Sequence, residues 1–260
     1  MLSKLLKYDF KSLSKILIPV YLVSLLLALL TRVINMLANQ FNIFSVPSGF
    51  ISGIFVVVLI AIPIATFIFT ILKFYQNLIK DEGYLMHTLP VSKNSLILSK
   101  TISSTVFIIL SFVFTILFLF VGVYGLWFDS SFLSLIWDLF KQIDTLFIIL
   151  TLLSILISVI YNQVMIYASI ALGQKHNNKV MYSVIYGVVL YNVTQILSVV
   201  ILIPVMFLDP NYQKYINGTS ISDFGLINGY LLFALFLSIL FTVAYYILTV
   251  KVLDKKLNLG

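Results

Sequence analysis

The side chains that could do chemistry are few: nine acidic residues, two histidines and no cysteine in 260 residues. The missing cysteines remove disulfides, thiolate nucleophiles and thiolate metal sites together. His87 and His176 are almost ninety positions apart, without an acidic or second histidine ligand at helical spacing, so they make a poor metal site. No serine or threonine stands beside a base in a nucleophilic arrangement. No glycine run leads into Gly-Lys-Ser or Gly-Lys-Thr, so the chain has no phosphate loop of its own. Catalysis by this polypeptide is therefore not expected. The polar side chains inside apolar stretches are mainly amides, Asn162 and Gln163 in one and Asn192 and Gln195 in another. They suit either a substrate path or hydrogen bonds between helices.

The elements that would hold these groups are apolar to an extent no water-soluble fold of this size can hide. Hydrophobic residues make up 61% of the chain and charged residues 10%, against about 25% charged in a soluble domain. A helix crosses the hydrocarbon core with roughly 20 mainly apolar residues, because its backbone polar groups must be satisfied within the segment. Six stretches qualify, at about 16–37, 51–72, 102–126, 146–172, 180–208 and 226–250. The expected fold is all-α, a single polytopic membrane domain over 1–260. The first stretch follows a basic segment but has no small-x-small cleavage pattern, and it reads as a span and not as a signal peptide. Pro204 near the end of the fifth stretch leaves two readings open. It is one long tilted helix, or a crossing that ends near Leu197 followed by a re-entrant hairpin before Asp209.

Charge gives the orientation. With the N-terminus in the cytoplasm, all but three of the 16 basic residues fall on the cytoplasmic side, the exceptions being Arg32, Lys141 and Lys214. Both termini then lie inside. Lys and Arg are interleaved with hydrophobic runs and not gathered on an exposed domain, so the net charge of +7 calls for a bilayer and not for nucleic acid. Within 1–15, Lys4, Lys7, Lys11 and Lys15 recur at helical spacing opposite Leu2, Leu5, Leu6, Phe10 and Leu13. This predicts an amphipathic helix in the cytoplasmic interface, with lysines among anionic headgroups. The alternative is a simple extension of the first span.

The loop between the second and third spans carries Asp81, Glu82, Gly83, Tyr84, Leu85, Thr88, Leu89 and Pro90. Gly83 is a helix stop signal, and Ser92 is placed to cap the helix that leads into the third span. Tyr84, Leu85, Met86 and Leu89 on the wet side fit a docking surface, or else rest on the ends of the protein's own helices.

The run Phe74-Tyr75-Gln76-Asn77-Leu78, then Asp81-Glu82-Gly83-Tyr84-Leu85, Thr88-Leu89-Pro90-Val91-Ser92 and Leu98-Ser99-Lys100, resembles the first cytoplasmic loop of small ABC-2 type transporter permeases from clostridial and bacillar bacteria. The basic N-terminal segment, the six spans and the ending 251–259 are similar to the same group. The resemblance implies a permease subunit in the bacterial plasma membrane that associates with a second permease, identical or homologous, and with two copies of a separate ATP-binding subunit. ATP and Mg2+ would bind that partner, and this chain would bind no cofactor. The resemblance places a coupling helix and ATPase contact on Asp81, Glu82, Gly83, Tyr84, Leu85, Thr88, Leu89 and Pro90. It also implies re-entrant helices before the last span, for which 199–223 has room. The uncharged interior favours export of a hydrophobic or amphipathic compound, such as a peptide antibiotic or lipid. The main alternative is a non-transporting six-span protein, such as an immunity or assembly factor.

Overall fold

The structure, a computed structural model, describes residues 2–78, 91–123, 134, 137–138, 141, 143–208 and 224–255. Six long helices account for nearly all of these: α1 (Leu2–Gln40), α2 (Ser45–Leu78), α3 (Lys93–Val123), α4 (Thr145–Gly173), α5 (Lys179–Leu208) and α6 (Phe224–Lys255). A 3-10 turn, Asn42–Phe44, joins α1 to α2. Each of the six is long and apolar enough to cross a membrane; five contain a stretch expected from the sequence, and α3 covers 102–123 of the third. The third is followed as far as Val123. The chain is a six-span membrane protein.

Its hydroxyl side chains show how such spans tolerate polarity. Ser24 donates to the Val20 carbonyl at 2.8 Å, Thr31 to Leu27 at 2.8 Å, Thr66 to Ile62 at 2.9 Å and Thr249 to Tyr245 at 2.7 Å. Each closes on a carbonyl one turn back, so the hydroxyl is satisfied without water. Prolines are accommodated as well: α1 continues through Pro19, α2 through Pro63 and α5 through Pro204. A break near Leu197 is therefore not present, and α5 is one helix up to Leu208. Residues 209–223, the rest of the stretch considered for re-entrant helices, lie outside the described residues.

The helices form two compact units, α1 to α3 and α4 to α6. In the first unit, Leu13, Leu17, Tyr21 and Ala28 of α1 pack with Phe55, Leu59 and Ile62 of α2 and with Phe107 and Phe118 of α3. The pairings fix the directions. Asn35 and Ser52 exchange side-chain contacts at 3.3 Å, and Tyr21 meets Thr66 at 3.1 Å, so α1 and α2 are antiparallel. Arg32 Nη1 donates to the Val123 carbonyl at 3.0 Å and Phe10 pairs with Phe107 at 5.7 Å, so α1 and α3 are parallel.

In the second unit, α4 packs along both α5 and α6. Val164, Met165 and Ala168 of α4 meet Tyr245 of α6, whose hydroxyl bonds to Thr194 and to the Leu190 carbonyl of α5, both at 3.2 Å. Asp144 caps α4 by accepting from Leu146 N at 3.3 Å, and it also accepts from Asn228 Nδ2 of α6 at 2.7 Å. Helices α4 and α6 are thus parallel, with their N-terminal ends tied together.

Glycine is used for close approach at Gly173, where an added Cβ would come within 2.1 Å of Ser183 Oγ and 2.7 Å of the Ser183 backbone nitrogen. Gly49 and Gly53, four positions apart on α2, and Gly229 on α6 meet nothing within 4 Å. Overpacking against backbone costs about 1–3 kcal/mol. Gly173→Ala should therefore lower the unfolding free energy of the detergent-solubilised protein by about 2 kcal/mol, whereas Gly53→Ala should leave it within about 0.5 kcal/mol. Reversible denaturant unfolding checks the contrast, and equal effects at the two sites would remove the packing account.

Candidate functional site

The helices of the first unit are longer than a bilayer requires. A 39-residue helix such as α1 is about 58 Å long, against a hydrocarbon core of about 30 Å. The excess lies at the N-terminal end of α1, where the hydrophobic stretch begins only at Ile16. Because α1 and α3 are parallel and α2 is antiparallel, the first turns of α1 and α3 and the last turns of α2 share one end of the unit. The segment 79–92 connects α2 to α3 at that end.

Helix α1 does not stop at residue 15. It continues without a break from the basic segment into the apolar stretch. Its polarity is arranged accordingly. Lys4, Lys7, Lys11 and Lys15 are exposed, and Tyr8 between them is 71% exposed. Leu13 and Leu17 face the unit's own core. The apolar stripe is thus used at least partly for protein packing, where the sequence alone had assigned it to lipid.

Asp9 lies on that buried side, 6% exposed. Its carboxylate pairs with the Lys100 ammonium of α3, which is equally buried, and accepts a second bond from Ser99 Oγ at 2.7 Å. Two carboxylate oxygens and two donors make a well-partnered charge cluster, which is what a buried ion pair requires. Sequence reasoning passed over it. The available signal was that Asp9 is the only acid in 2–40 and falls four residues before Leu13 on the leucine stripe, the wrong side for a solvated charge.

Helix α3 starts as its sequence indicates. Ser92 Oγ accepts from the Ser95 backbone N–H at 3.3 Å and contacts Ser95 Oγ at 2.8 Å. It satisfies one of the orphan donors of the first turn. The loop residues Asp81, Glu82, Gly83, Tyr84, Leu85, Thr88, Leu89 and Pro90, with His87, lie outside the described residues. His176 lies in the turn between α4 and α5, stacked on Tyr182 at 4.0 Å with Nε2 3.0 Å from the Tyr186 hydroxyl. Its partners are aromatic, and no group of three metal-ligating residues exists among the described residues.

The four amides have different surroundings. Gln163 is fully buried in α4. Asn162 donates to the Ser158 carbonyl at 2.8 Å and Asn192 to Val188 at 2.8 Å, each within its own helix. Asn192 and Gln195 are exposed on α5. Amides that join two helices are Asn35, through Ser52 of α2, and Asn228 of α6, through Asp144 at the start of α4.

No protein-family model matches the chain, and no curated protein or solved structure matches it.

Removing the α3 cap tests the local reading. Ser92→Ala should cost about 1 kcal/mol of local stability, seen as faster hydrogen exchange confined to the first turn of α3. Unchanged exchange at Ser95 and Leu96 would show that the cap is not what holds this end.

Proposed function

We propose that the chain is the membrane-spanning permease subunit of an ATP-driven transporter of the ABC-2 type. On this reading it lies in a bacterial plasma membrane with both termini in the cytoplasm. It pairs with a second permease, identical or homologous, and is driven by two copies of a separate ATP-binding subunit that carries the ATP and Mg2+. The observation that carries the proposal is the overhang of the first unit: the start of α1, the end of α2 and the start of α3 reach past the hydrophobic stretches at one end of the unit, where α1 carries four exposed lysines. A mere connection between two spans needs no such stem. The sequence of 74–92 supports the same reading, with Asp81, Glu82 and Gly83 followed by apolar Tyr84, Leu85 and Leu89.

On this reading, force applied through the chain that joins α2 to α3 moves the two helices together. The absence of Asp, Glu and His from the interiors of the six spans supports a hydrophobic or amphipathic cargo, since an ion-coupled carrier places ionisable residues at membrane depth. Export of such a compound follows from this reading.

Two linked measurements test it. Mild-detergent purification from the native membrane should retain a stoichiometric soluble ATPase, and Asp81→Lys with Glu82→Lys should release it, or leave it bound with ATP turnover at least tenfold less responsive to the permease. Membrane insertion of the variant should stay intact. A chain that purifies without an ATPase while conferring protection from a membrane-active peptide would support a non-transporting immunity protein instead.

A further inference from the structure

The seam that α1 turns toward its unit is regular: Asp9, Leu13, Leu17, Tyr21, Ser24, Ala28 and Thr31 are buried at intervals of three and four. Apart from Asp9 it contains no charge, and α3 has no charged residue other than Lys93 and Lys100. Ser24 and Thr31 bond within α1 and Tyr21 reaches the Phe107 carbonyl of α3 at 3.5 Å; the rest of the seam is apolar and permissive. A shift of one helix by a turn, about 5.4 Å, sets leucine against phenylalanine again at little loss, and packed helices in other proteins do ratchet by that step. What distinguishes one register from the next is polar.

Two polar contacts between α1 and α3 have the same offset. Asp9 meets Lys100 and Arg32 meets the Val123 carbonyl, both 91 positions apart in sequence. They lie at opposite ends of the seam, about 34 Å apart along the helix. At the lower end a one-turn slip brings Lys100 opposite Leu5, Leu6, Ser12 or Leu13 and takes the Asp9 carboxylate away from the ammonium that it pairs with. At the upper end it draws the guanidinium away from the Val123 carbonyl to which it donates.

We propose that the Asp9–Lys100–Ser99 cluster is a register key, which selects one axial setting of α1 against α3 from settings that the apolar seam alone would accept. Asp9 and Lys100 are positioning residues. Their effect is to hold the lysine face of α1 at a fixed height relative to the start of α3. This inference concerns the pairing of α1 and α3 only and stands whether or not an ATPase binds.

The absence of cysteine from the chain allows a direct test. Spin labels on cysteines introduced at Lys11 and Leu98, both exposed, report the axial setting by pulsed electron resonance on the full chain in lipid nanodiscs. The parent pair should give one narrow distance distribution. The informative variant is Asp9→Leu combined with Lys100→Met, which removes both charges and leaves a seam without charge that packs well. A register key predicts a second population or a displaced mean, by up to about 5 Å. Exchange of the charges, Asp9→Lys with Lys100→Asp, should restore one narrow population at the parent distance. If the apolar variant superimposes on the parent, the pair is merely structural and the proposal fails. If the apolar variant does not reach the membrane, the charge exchange decides: one parent-like population supports the key, and a broad one overturns it.

Discussion

Every backbone N–H and C=O within the hydrocarbon must find its partner inside the protein. The rest of this structure follows from that requirement. It forces the spans into unbroken helices, so that even Pro19, Pro63 and Pro204 are absorbed without ending one. It then decides what side chains the spans can hold. A serine or threonine is acceptable because its hydroxyl can reach a carbonyl of the preceding turn, and the buried ones on α3, including Ser103, Ser104, Thr105 and Ser111, all do so. Charges have no comparable local partner, and they are placed at helix ends.

Beyond the hydrocarbon the constraint changes sign. At the N-terminal end of the first unit, water is available to any group on the outside, yet Asp9 and Lys100 are buried together between α1 and α3. A buried pair is weak evidence for stability, since a well-packed apolar replacement is often as stable. What it offers over leucine is discrimination: a leucine accepts many neighbours, whereas an aspartate there accepts few. The second unit uses a related device at one end, with Asp144 of α4 held by Asn228 of α6. Each unit therefore joins its first and third helices in parallel and ties them by a side-chain carboxylate. The acids concerned, Asp9 and Asp144, both stand outside the hydrophobic stretches of their helices.

The span count was legible because hydropathy over about 20 residues is a collective signal that no single residue can reverse. The fifth stretch, 180–208, coincides almost residue for residue with α5, and the cap at Ser92 was readable from residue type and position. The partnership of Asp9 was not legible, because pairing across 91 residues leaves no trace in local periodicity. Only the conflict between its charge and its stripe marked it. The continuity of α1 through residue 15 was also ambiguous in sequence, because an amphipathic stripe has the same periodicity whether its apolar side meets lipid or protein. Gly49 and Gly53 have the spacing of a packing motif but open surroundings, since spacing specifies a face and not what lies opposite it. The loop residues 81–90 are known here by sequence alone.

These features together separate two roles that sequence runs together in the first fifteen residues. The leucine side of α1 and Asp9 belong to the protein interior, and they set where the helix stands. The lysine side is free of that duty, and its charges are carried on a support that cannot slide without exposing a buried ion pair to leucine. An interfacial helix floating on lipid would place its lysines wherever the bilayer put them. A helix clamped to α3 places them at a height set by the chain itself. On the proposed permease reading the second arrangement is the useful one, because the entropy of positioning the lysine face has already been lost in folding and need not be lost again on binding.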